Sequence, residues 1–396
     1  MTNRRGFIQG AGAISTAAAL ALRPGLAHAT QGVNDKELVI GTIQDLSGPI
    51  VSLGKPVQNG MIMRVEEANA AGGIHGRQLK LQIEDSGYDP KKAVLAAQKL
   101  VSRDKVFAVL GALGSVVSLS TMPILLKRGV ISFNPITAHH GNFDPFDKLK
   151  FAMATPYQTS TELGLLEMLK RGNYQRVGIM YQDDEYGLEV LRGSETALAS
   201  KGMSLVEKTS YKRGATEFAS QMQKLVAANC DLIVLGTIVR ETIAGMATAR
   251  KLGYGGAFFG SQAAYMPVVA KAGGKAVEGL YAVHETPTPY RDDPANTRLL
   301  NDWLDRYKAR FNEDADLWSV TGYIIVDVFA KAAERAGRNL TTDSFVKAVE
   351  AEPYPRSYFG NPDFAWSADN HLGNNKVKLA LISNGRWVSE STWLQK

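Results

Sequence analysis

Residues 106–123 read VFAVLGALGSVVSLSTMP, so an apolar run gives way to glycines and hydroxyl side chains around Ser115. The acyl-transfer elbow needs glycines at fixed positions on both sides of a nucleophilic serine, and Ser115 lacks that spacing. A phosphate-binding Walker loop needs Gly-Lys-Ser/Thr, which is absent. A glycine turn that opens a helix can present backbone N–H groups and the Ser115 hydroxyl to a small anion such as a carboxylate. The same pattern is equally typical of a serine that only caps the helix.

Two adjacent histidines, His139 and His140, precede Asp144 and Asp147 in a stretch rich in proline and glycine. These side-chain types bind metal ions, but adjacent residues of a strand point to opposite faces, and no His-x-x-x-His or cysteine pair is present. We therefore expect a polar loop and predict no metal site.

The remaining candidate side chains favour structural roles. The acidic run DDE at 183–185 is more typical of a solvated turn than of a paired general acid and base. Trp318 and Tyr323 lie in a helical pattern and are expected in the core, unless a position in a cleft makes them ligand contacts. These residues supply neither a nucleophile with its base nor a cofactor motif, so we predict no catalysis and no cofactor.

Short β-rich runs alternate with amphipathic segments along most of the chain, which is typical of βα units around parallel sheets. The first series of predicted strands is LVIGTI (38–43), LKLQIED (79–85), VFAVLG (106–111) and VISF (130–133). The second is RVGIMYQ (176–182), SLVEKTSY (204–211), DLIVLGT (231–237), AFFGS (257–261) and GLYAVH (279–284). Predicted helices include 57–71, 90–102, 297–311 and 319–337, and LALISNGRW (379–387) is predicted as a late strand and turn. Two such series predict two α/β lobes with a ligand at the carboxyl ends of the strands.

The composition is that of a globular protein. The chain has 396 residues, of which 45% are hydrophobic and 21% charged, so two domains are expected. Cys230 is the only cysteine, so no intramolecular disulfide can form and stability must come from packing.

Residues 1–29 have the pattern of an export signal. Arg4 and Arg5 precede an apolar run at 10–22, which is too short to span a bilayer and ends before the small-residue motif at 27–29. Cleavage is expected after Ala29, and the paired arginines resemble the twin-arginine signal of bacteria. The mature chain loses Arg4, Arg5 and Arg23 and no acidic residue, leaving 42 basic and 39 acidic residues, a net charge of +3. A balance so mild, with no basic run, does not favour nucleic acid as a partner.

Five segments resemble, in the same order, the periplasmic leucine/isoleucine/valine-binding protein family, which are type I solute-binding proteins of ABC importers. The segments are LSGPIVSLG (46–54), NAAGGIHGRQLKLQIED (69–85), DPKKAVLAAQKLV (89–101), YQDDEYG (181–187) and TEFASQMQKL (216–225). The similarity runs from about residue 38 to residue 387, and the motifs together are specific to the family.

The resemblance implies an α/β fold with two lobes, each a mainly parallel sheet flanked by helices, joined by three interlobe crossings. Lobe 1 is expected to contain residues 36–155 and 284–368, and lobe 2 residues 156–283 and 369–396. The lobes would close on one small solute by hinge motion and deliver it to the permease and ATPase subunits of an ABC importer. We expect an exported, periplasmic monomer.

The resemblance also implies which residues contact the solute. In the family, a hydroxyl after the third strand and the loop of the next strand hold the ligand's carboxylate, positions that correspond to Ser115 and to Ile136 and Thr137. The tyrosine of the YG motif corresponds to Tyr186, and an aromatic residue near the last long helix to Trp318.

Three further positions depart from the pattern of the family. Gln262 stands where amino-acid binders have an acidic residue for the ligand's ammonium group, Ile238 replaces a tyrosine, and Leu53 replaces an aromatic residue. Losing the carboxylate removes the partner of a buried cation. We therefore hypothesise weakened ammonium recognition, which favours an organic acid or an amide, while a plain amino acid remains open.

Two other functions compete with transport. A ligand-sensing protein for an amide or organic acid, feeding a regulator or chemoreceptor, is the alternative, because the same two-lobed fold serves sensing. An enzyme is the second rival, but it needs a catalytic group that the motifs do not supply.

Overall fold

The computed structural model describes residues 30–396, and the predicted export signal lies outside them. Within the described residues the strands form two sheets, one of five strands and one of seven. The strands of the first sheet are β1 (Glu37–Gln44), β2 (Gln78–Asp85), β3 (Ala108–Leu110), β4 (Ile131–Phe133) and β5 (Lys150–Phe151). Those of the second are β6 (Val177–Gln182), β7 (Glu207–Tyr211), β8 (Leu232–Gly236), β9 (Ala257–Gly260), β10 (Leu280–His284), β11 (Lys378–Ser383) and β12 (Arg386–Ser389).

Both sheets are mainly parallel, as the alternating sequence pattern predicts. The first has the order β2-β1-β3-β4-β5, with every neighbouring pair parallel. The second has the order β12-β11-β10-β9-β8-β6-β7. Its β10–β11 and β11–β12 pairs are antiparallel, and its other neighbouring pairs are parallel. Strands β3 and β8 are short apolar runs buried along their whole length, because helices cover both faces of a parallel sheet.

Helices surround both sheets. The α-helices of the described residues are α1 (Val51–Ala70), α2 (Pro90–Ser102), α3 (Ser115–Lys127), α4 (Tyr157–Arg171), α5 (Glu185–Ala199), α6 (Ala219–Ala227), α7 (Arg240–Lys251), α8 (Pro267–Gly273), α9 (Arg298–Phe311), α10 (Leu317–Ala336) and α11 (Thr342–Ala351). The two long helices predicted at 297–311 and 319–337 agree with α9 and α10 within two residues. Helix α1 begins at Val51, six residues before the predicted start, with Pro56 inside it. The Asp45 carboxylate accepts from Ile50 N (2.8 Å) just before α1, so the extra turn is anchored by a side chain that periodicity does not reveal.

The segment predicted as a late strand and turn is a β-hairpin of two strands. β11 and β12 pair antiparallel around Asn384 and Gly385, which have φ values of 53° and 71°. Asn-Gly is the residue pair that favours such a two-residue turn, because both positions need positive φ. The hairpin therefore adds two antiparallel strands to the edge of the second sheet.

The chain passes between the lobes three times, after β5, after β10 and before β11. After the second crossing, helices α9 to α11 return to the first sheet, where Phe329 and Phe345 pack edge-to-face on Phe133 at centroid distances of 5.8 and 5.6 Å. The α/β, two-lobed architecture with three crossings is the one predicted. The residue limits given for each lobe stay a prediction.

Close packing of α10 on α1 fixes the part of α10 that reaches the space between the lobes. A Cβ atom on Gly60 would overlap the carbonyl oxygen of Ser319, and one on Gly322 would overlap that of Val57. The two glycines therefore let the helix backbones approach closely. This contact holds Trp318, in the first turn of α10, at the edge of the cleft.

Candidate functional site

A cavity of about 130 Å³ lies between the two lobes, at the carboxyl ends of their strands. This volume is much larger than the roughly 10–15 Å³ that one water molecule needs, so the cavity has room for a small organic molecule. All eight residues that the sequence predicted as ligand contacts line it, namely Leu53, Ser115, Ile136, Thr137, Tyr186, Ile238, Gln262 and Trp318. Their role in binding stays a prediction. Tyr323 does not line the cavity and is buried in the core, as expected.

Ser115 is the first residue of α3 and lies at the end of a glycine turn after β3. The residue that precedes the helix is Gly114, with φ 98°, and no side chain caps the helix. The capping role considered for Ser115 is therefore wrong, because that role belongs to the residue one position earlier. Instead, Ser115 Oγ lies 2.6 Å from Thr137 Oγ1, which follows β4.

The Ser115–Thr137 hydroxyl pair stands beside free backbone donors. Ser118 is the first residue of α3 whose N–H bonds a backbone carbonyl, that of Gly114 at 2.9 Å. The three N–H groups before it are the donors that every helix leaves unpaired at its start. Both hydroxyl residues are largely buried, at 2% and 6% exposure, so a bound anion would meet few competing water molecules.

Tyr186 lines the cavity from the second lobe, and its hydroxyl is hydrogen-bonded within the protein. The hydroxyl donates to Thr237 O (2.9 Å) and lies 2.7 Å from Ser261 Oγ, so it ties together the loops after β8 and β9. Burial raises the pKa of Tyr186 well above its usual value, which keeps the phenol neutral. The ring of Tyr186, which packs on Tyr157 at 4.8 Å, is the part that remains for a ligand.

Gln262 lines the cavity but has its amide group occupied at the hinge. Its Oε1 accepts from Ser160 Oγ (2.9 Å), and its Nε2 donates to Thr155 O (3.1 Å) and to Glu285 Oε1 (2.6 Å). Gln262 therefore connects the second lobe to the first crossing, through Thr155, and to the second crossing, through Glu285.

Glu285 is a cavity residue that the sequence reasoning missed. It follows β10 directly, and its Oε1 accepts from Thr155 N (2.7 Å) as well as from Gln262. Burial raises its pKa to about 8, although hydrogen bonds from Thr155, Asn374 and Gln262 oppose that shift. An acidic residue immediately after a predicted parallel strand was the available signal, because ligands collect at that end of a sheet.

Two tyrosines of the wall were also missed. Tyr157 N donates to Ala138 O (2.7 Å), next to Thr137, and burial raises the pKa of Tyr157 to about 12. Tyr88 has φ 56°, and its ring lies 5.6 Å from the Arg213 guanidinium carbon of the other lobe. Tyr88 therefore closes one side of the cavity while contacting the opposite lobe.

The paired histidines lie outside the cavity, and their arrangement corrects one step of the sequence argument. His139 and His140 do not point to opposite faces, because residues 140–142 form a 3₁₀ turn and the two rings stack at 4.5 Å with an interplanar angle of 27°. His140 Nδ1 lies 3.0 Å from Oε1 of the buried Glu189, which also pairs with Arg192. One ligand atom from each of His139, His140 and Glu189 lies within 4.8 Å of the others. The two imidazole rings are stacked nearly parallel, which does not suit lone pairs that must converge on one metal ion, and the Glu189 carboxylate is already paired with Arg192.

Comparisons with known proteins identify the family. The sequence profile of the periplasmic binding protein family matches residues 37–386, so the chain belongs to that family. The chain is 25% identical over 295 residues to a leucine-, isoleucine-, valine-, threonine- and alanine-binding protein of Pseudomonas aeruginosa, covering 74% of this chain and 76% of that protein.

Solved structures are similar over almost the whole described chain. A fatty acid ABC transporter substrate-binding protein from Thermomonospora curvata has a TM-score of 0.82 and 21% identity, covering 93% of this chain and 94% of that one. A solute-binding protein of an ABC transporter from R. palustris, in complex with benzoate, has a TM-score of 0.79 and 16% identity, covering 91% and 98%. The resemblance predicted from the five motifs and the type I fold are both confirmed. Within residues 30–396, no helix is long and apolar enough to cross a bilayer.

Proposed function

We propose that this chain is the exported solute-binding component of a branched-chain-amino-acid-type ABC importer. It binds a small carboxylate-containing solute, an amino acid or an organic or aromatic acid, between two closing lobes and performs no catalysis. The observation that carries this proposal is the Ser115–Thr137 hydroxyl pair, which lines the cavity between the lobes.

The chemistry of the cavity wall supports a carboxylate at the first-lobe end. Two hydroxyls and the unpaired N–H groups at the start of α3 are donors suited to a small anion, and the helix dipole favours negative charge there. No lysine or arginine lines the cavity among the described residues, so the anion would be held by neutral donors.

The remaining wall supports an apolar body for the solute. Leu53, Ile136, Ile238 and Trp318 line the cavity together with Met153 and Met266. Burying an aliphatic or aromatic group against such side chains contributes roughly 25 cal/mol per Å² of apolar surface. The names of the relatives above mention leucine, isoleucine, valine, threonine and alanine, fatty acid, and benzoate, all of which carry a carboxylate.

Titration calorimetry on the mature protein tests the proposal with L-leucine, benzoate and succinate as three carboxylate classes, and with leucinamide as a ligand without a carboxylate. We expect at least one carboxylate to bind and leucinamide to bind much more weakly than leucine. Binding of the amide alone, or of none of the carboxylates, would contradict the proposal.

A further inference from the structure

Glu189 is a fully buried carboxylate at a contact between the two lobes. It lies on α5 of the second lobe with its side chain 0% exposed, although it does not line the cavity. It pairs with Arg192 on the same helix and with His140, which lies between β4 and β5 of the first lobe. His140 Nδ1 is 3.0 Å from Glu189 Oε1, and the His140 backbone nitrogen is 3.5 Å from Oε2. Part of the surroundings of this carboxylate therefore comes from the opposite lobe.

The protonation of the pair makes His140 the donor. Burial opposes ionisation of Glu189, but the hydrogen bond from Arg192 and the positive charge nearby hold the pKa of Glu189 below its usual value. An ionised carboxylate only accepts hydrogen bonds, so His140 Nδ1 carries a proton and donates it to the bond. Burial lowers the pKa of the adjacent His139, whose Nδ1 accepts from Gly141 N (2.9 Å), so that ring is neutral.

The turn that carries His140 is fastened to the first lobe. Residues 140–142 form a 3₁₀ turn, and Asn142 Oδ1 accepts from Ser118 Oγ of α3 (2.8 Å). The Asn142 amide nitrogen also lies 3.4 Å from Thr137 O, next to the hydroxyl pair of the cavity wall. His140 therefore moves with the first lobe when the lobes rotate.

The two segments that meet at this contact also reach the cavity. Thr137 precedes His140 by three residues, Tyr186 precedes Glu189 by about one helical turn, and both Thr137 and Tyr186 line the cavity. His140 and Glu189 do not line it. The pair can therefore act on a bound solute only through the relative position of the lobes.

Opening of the cleft would separate His140 from Glu189 and return the carboxylate to water. A buried hydrogen bond to a charged group that exists only in the closed form adds to the free energy of closing. A contact that favours the binding-competent form raises the apparent affinity of every solute by the same factor, because that factor depends only on the population of the form.

We propose that His140 and Glu189 form a latch between the lobes, which holds the closed form and slows the release of the bound solute. The inference rests on the closing lobes of the proposed function and adds two positioning residues that do not touch the solute. Because the latch forms only after closure, its loss should raise the dissociation rate and leave the association rate nearly unchanged.

Stopped-flow kinetics and calorimetry on the mature protein test the latch with L-leucine, benzoate and succinate. His140→Ala and Glu189→Gln should each weaken every carboxylate that binds by roughly tenfold, through faster dissociation, without changing the order of affinities. The double variant should lose no more than the more affected single variant, because both changes remove the same contact.

Glu195→Gln is the matched control. Glu195 lies on the same helix but is exposed and pairs with Lys208 of its own lobe (3.0 Å), so this change should alter neither rate. Urea unfolding of the solute-free protein checks for general damage, and His140→Ala should keep the unaltered midpoint, because the ring is 47% exposed.

Unchanged dissociation rates in both single variants, losses that differ from one solute to another, or fully additive losses in the double variant would overturn the latch. Each of these results would leave the proposed function standing, because the solute still binds. Absence of binding by all three carboxylates in the unaltered protein would instead overturn the proposed function, and the latch with it.

Discussion

At the scale of single residues, the Ser115 hydroxyl connects a local sequence motif to ligand recognition. It lies on the cavity wall 2.6 Å from the Thr137 hydroxyl, and it is not needed as a helix cap. One hydroxyl of this pair can donate to the other, and the proton of the accepting hydroxyl then remains free to donate to a carboxylate.

Replacing Ser115 with alanine should weaken carboxylate binding by about 1 to 3 kcal/mol, because a hydrogen bond to a charged group is lost. Calorimetry with the tightest carboxylate measures the loss. Ser120→Ala is the matched control, since Ser120 lies in the same helix, bonds only Val117 O (3.1 Å) and does not line the cavity. Equal affinities in the two variants would remove Ser115 from the binding site.

At the scale of elements, the turn from β3 to α3 depends on a backbone that only glycine adopts easily. Gly114 has φ 98°, and a Cβ atom there would overlap the ring of Tyr88. The turn therefore sets the direction in which α3 presents Ser115 and its free N–H groups, and the missing side chain of Gly114 leaves room for the Tyr88 ring.

Gly114→Ala should lower both the stability and the affinity of the protein, because the backbone strain of roughly 1–2 kcal/mol adds to the displacement of Tyr88. Urea unfolding and calorimetry measure the two effects. Gly129→Ala is the matched control, since Gly129 also has a positive φ (68°) but no atom within 4 Å of a Cβ. It should show the strain without loss of affinity, and an equal loss of affinity in both variants would contradict this account of the turn.

At the scale of the whole molecule, the lobes contact each other through side chains as well as through the crossings. Arg213 lies over the Tyr88 ring, and His140 bonds Glu189 across the cleft. The hydrogen bonds of Glu285, Gln262 and Thr155 join two of the crossings, and Gln262 and Glu285 also line the cavity, so the cavity wall is continuous with the hinge.

We expect the lobes to open without solute by rotation about the crossings near 155, 284 and 368, and to close when it binds. Small-angle scattering should show a smaller radius of gyration with a saturating carboxylate ligand. A solute that calorimetry shows not to bind serves as control. Identical scattering curves with and without the bound ligand would contradict hinge closure.

The sequence pattern predicted most of the fold, and the resemblance to the family predicted eight residues that line the cavity. Alternating β-rich and amphipathic runs predict βα units, and the residues that end parallel strands gather at one edge of the sheet. Local signals were misread where a distant group decides the outcome. A hydrogen bond from Ile50 to Asp45 precedes the start of α1, which lies at Val51, on the N-terminal side of Pro56. The 3₁₀ turn at 140–142 brings the rings of His139 and His140 to the same side.

The amino-acid sequence by itself therefore determined the two α/β series and the hydroxyl-rich turn at Ser115, because periodicity and turn residues act over a few positions, and its five motifs carried the resemblance to the family. Only the tertiary structure decided that Gln262 is bound to the hinge and that Glu285 lies on the cavity wall, hydrogen-bonded to Thr155 and Gln262. Those facts depend on segments far apart in sequence meeting at one point, since Thr155 and Glu285 are 130 residues apart. The charge that a buried carboxyl carries is set by that meeting, because desolvation and hydrogen bonds from several segments fix its pKa together.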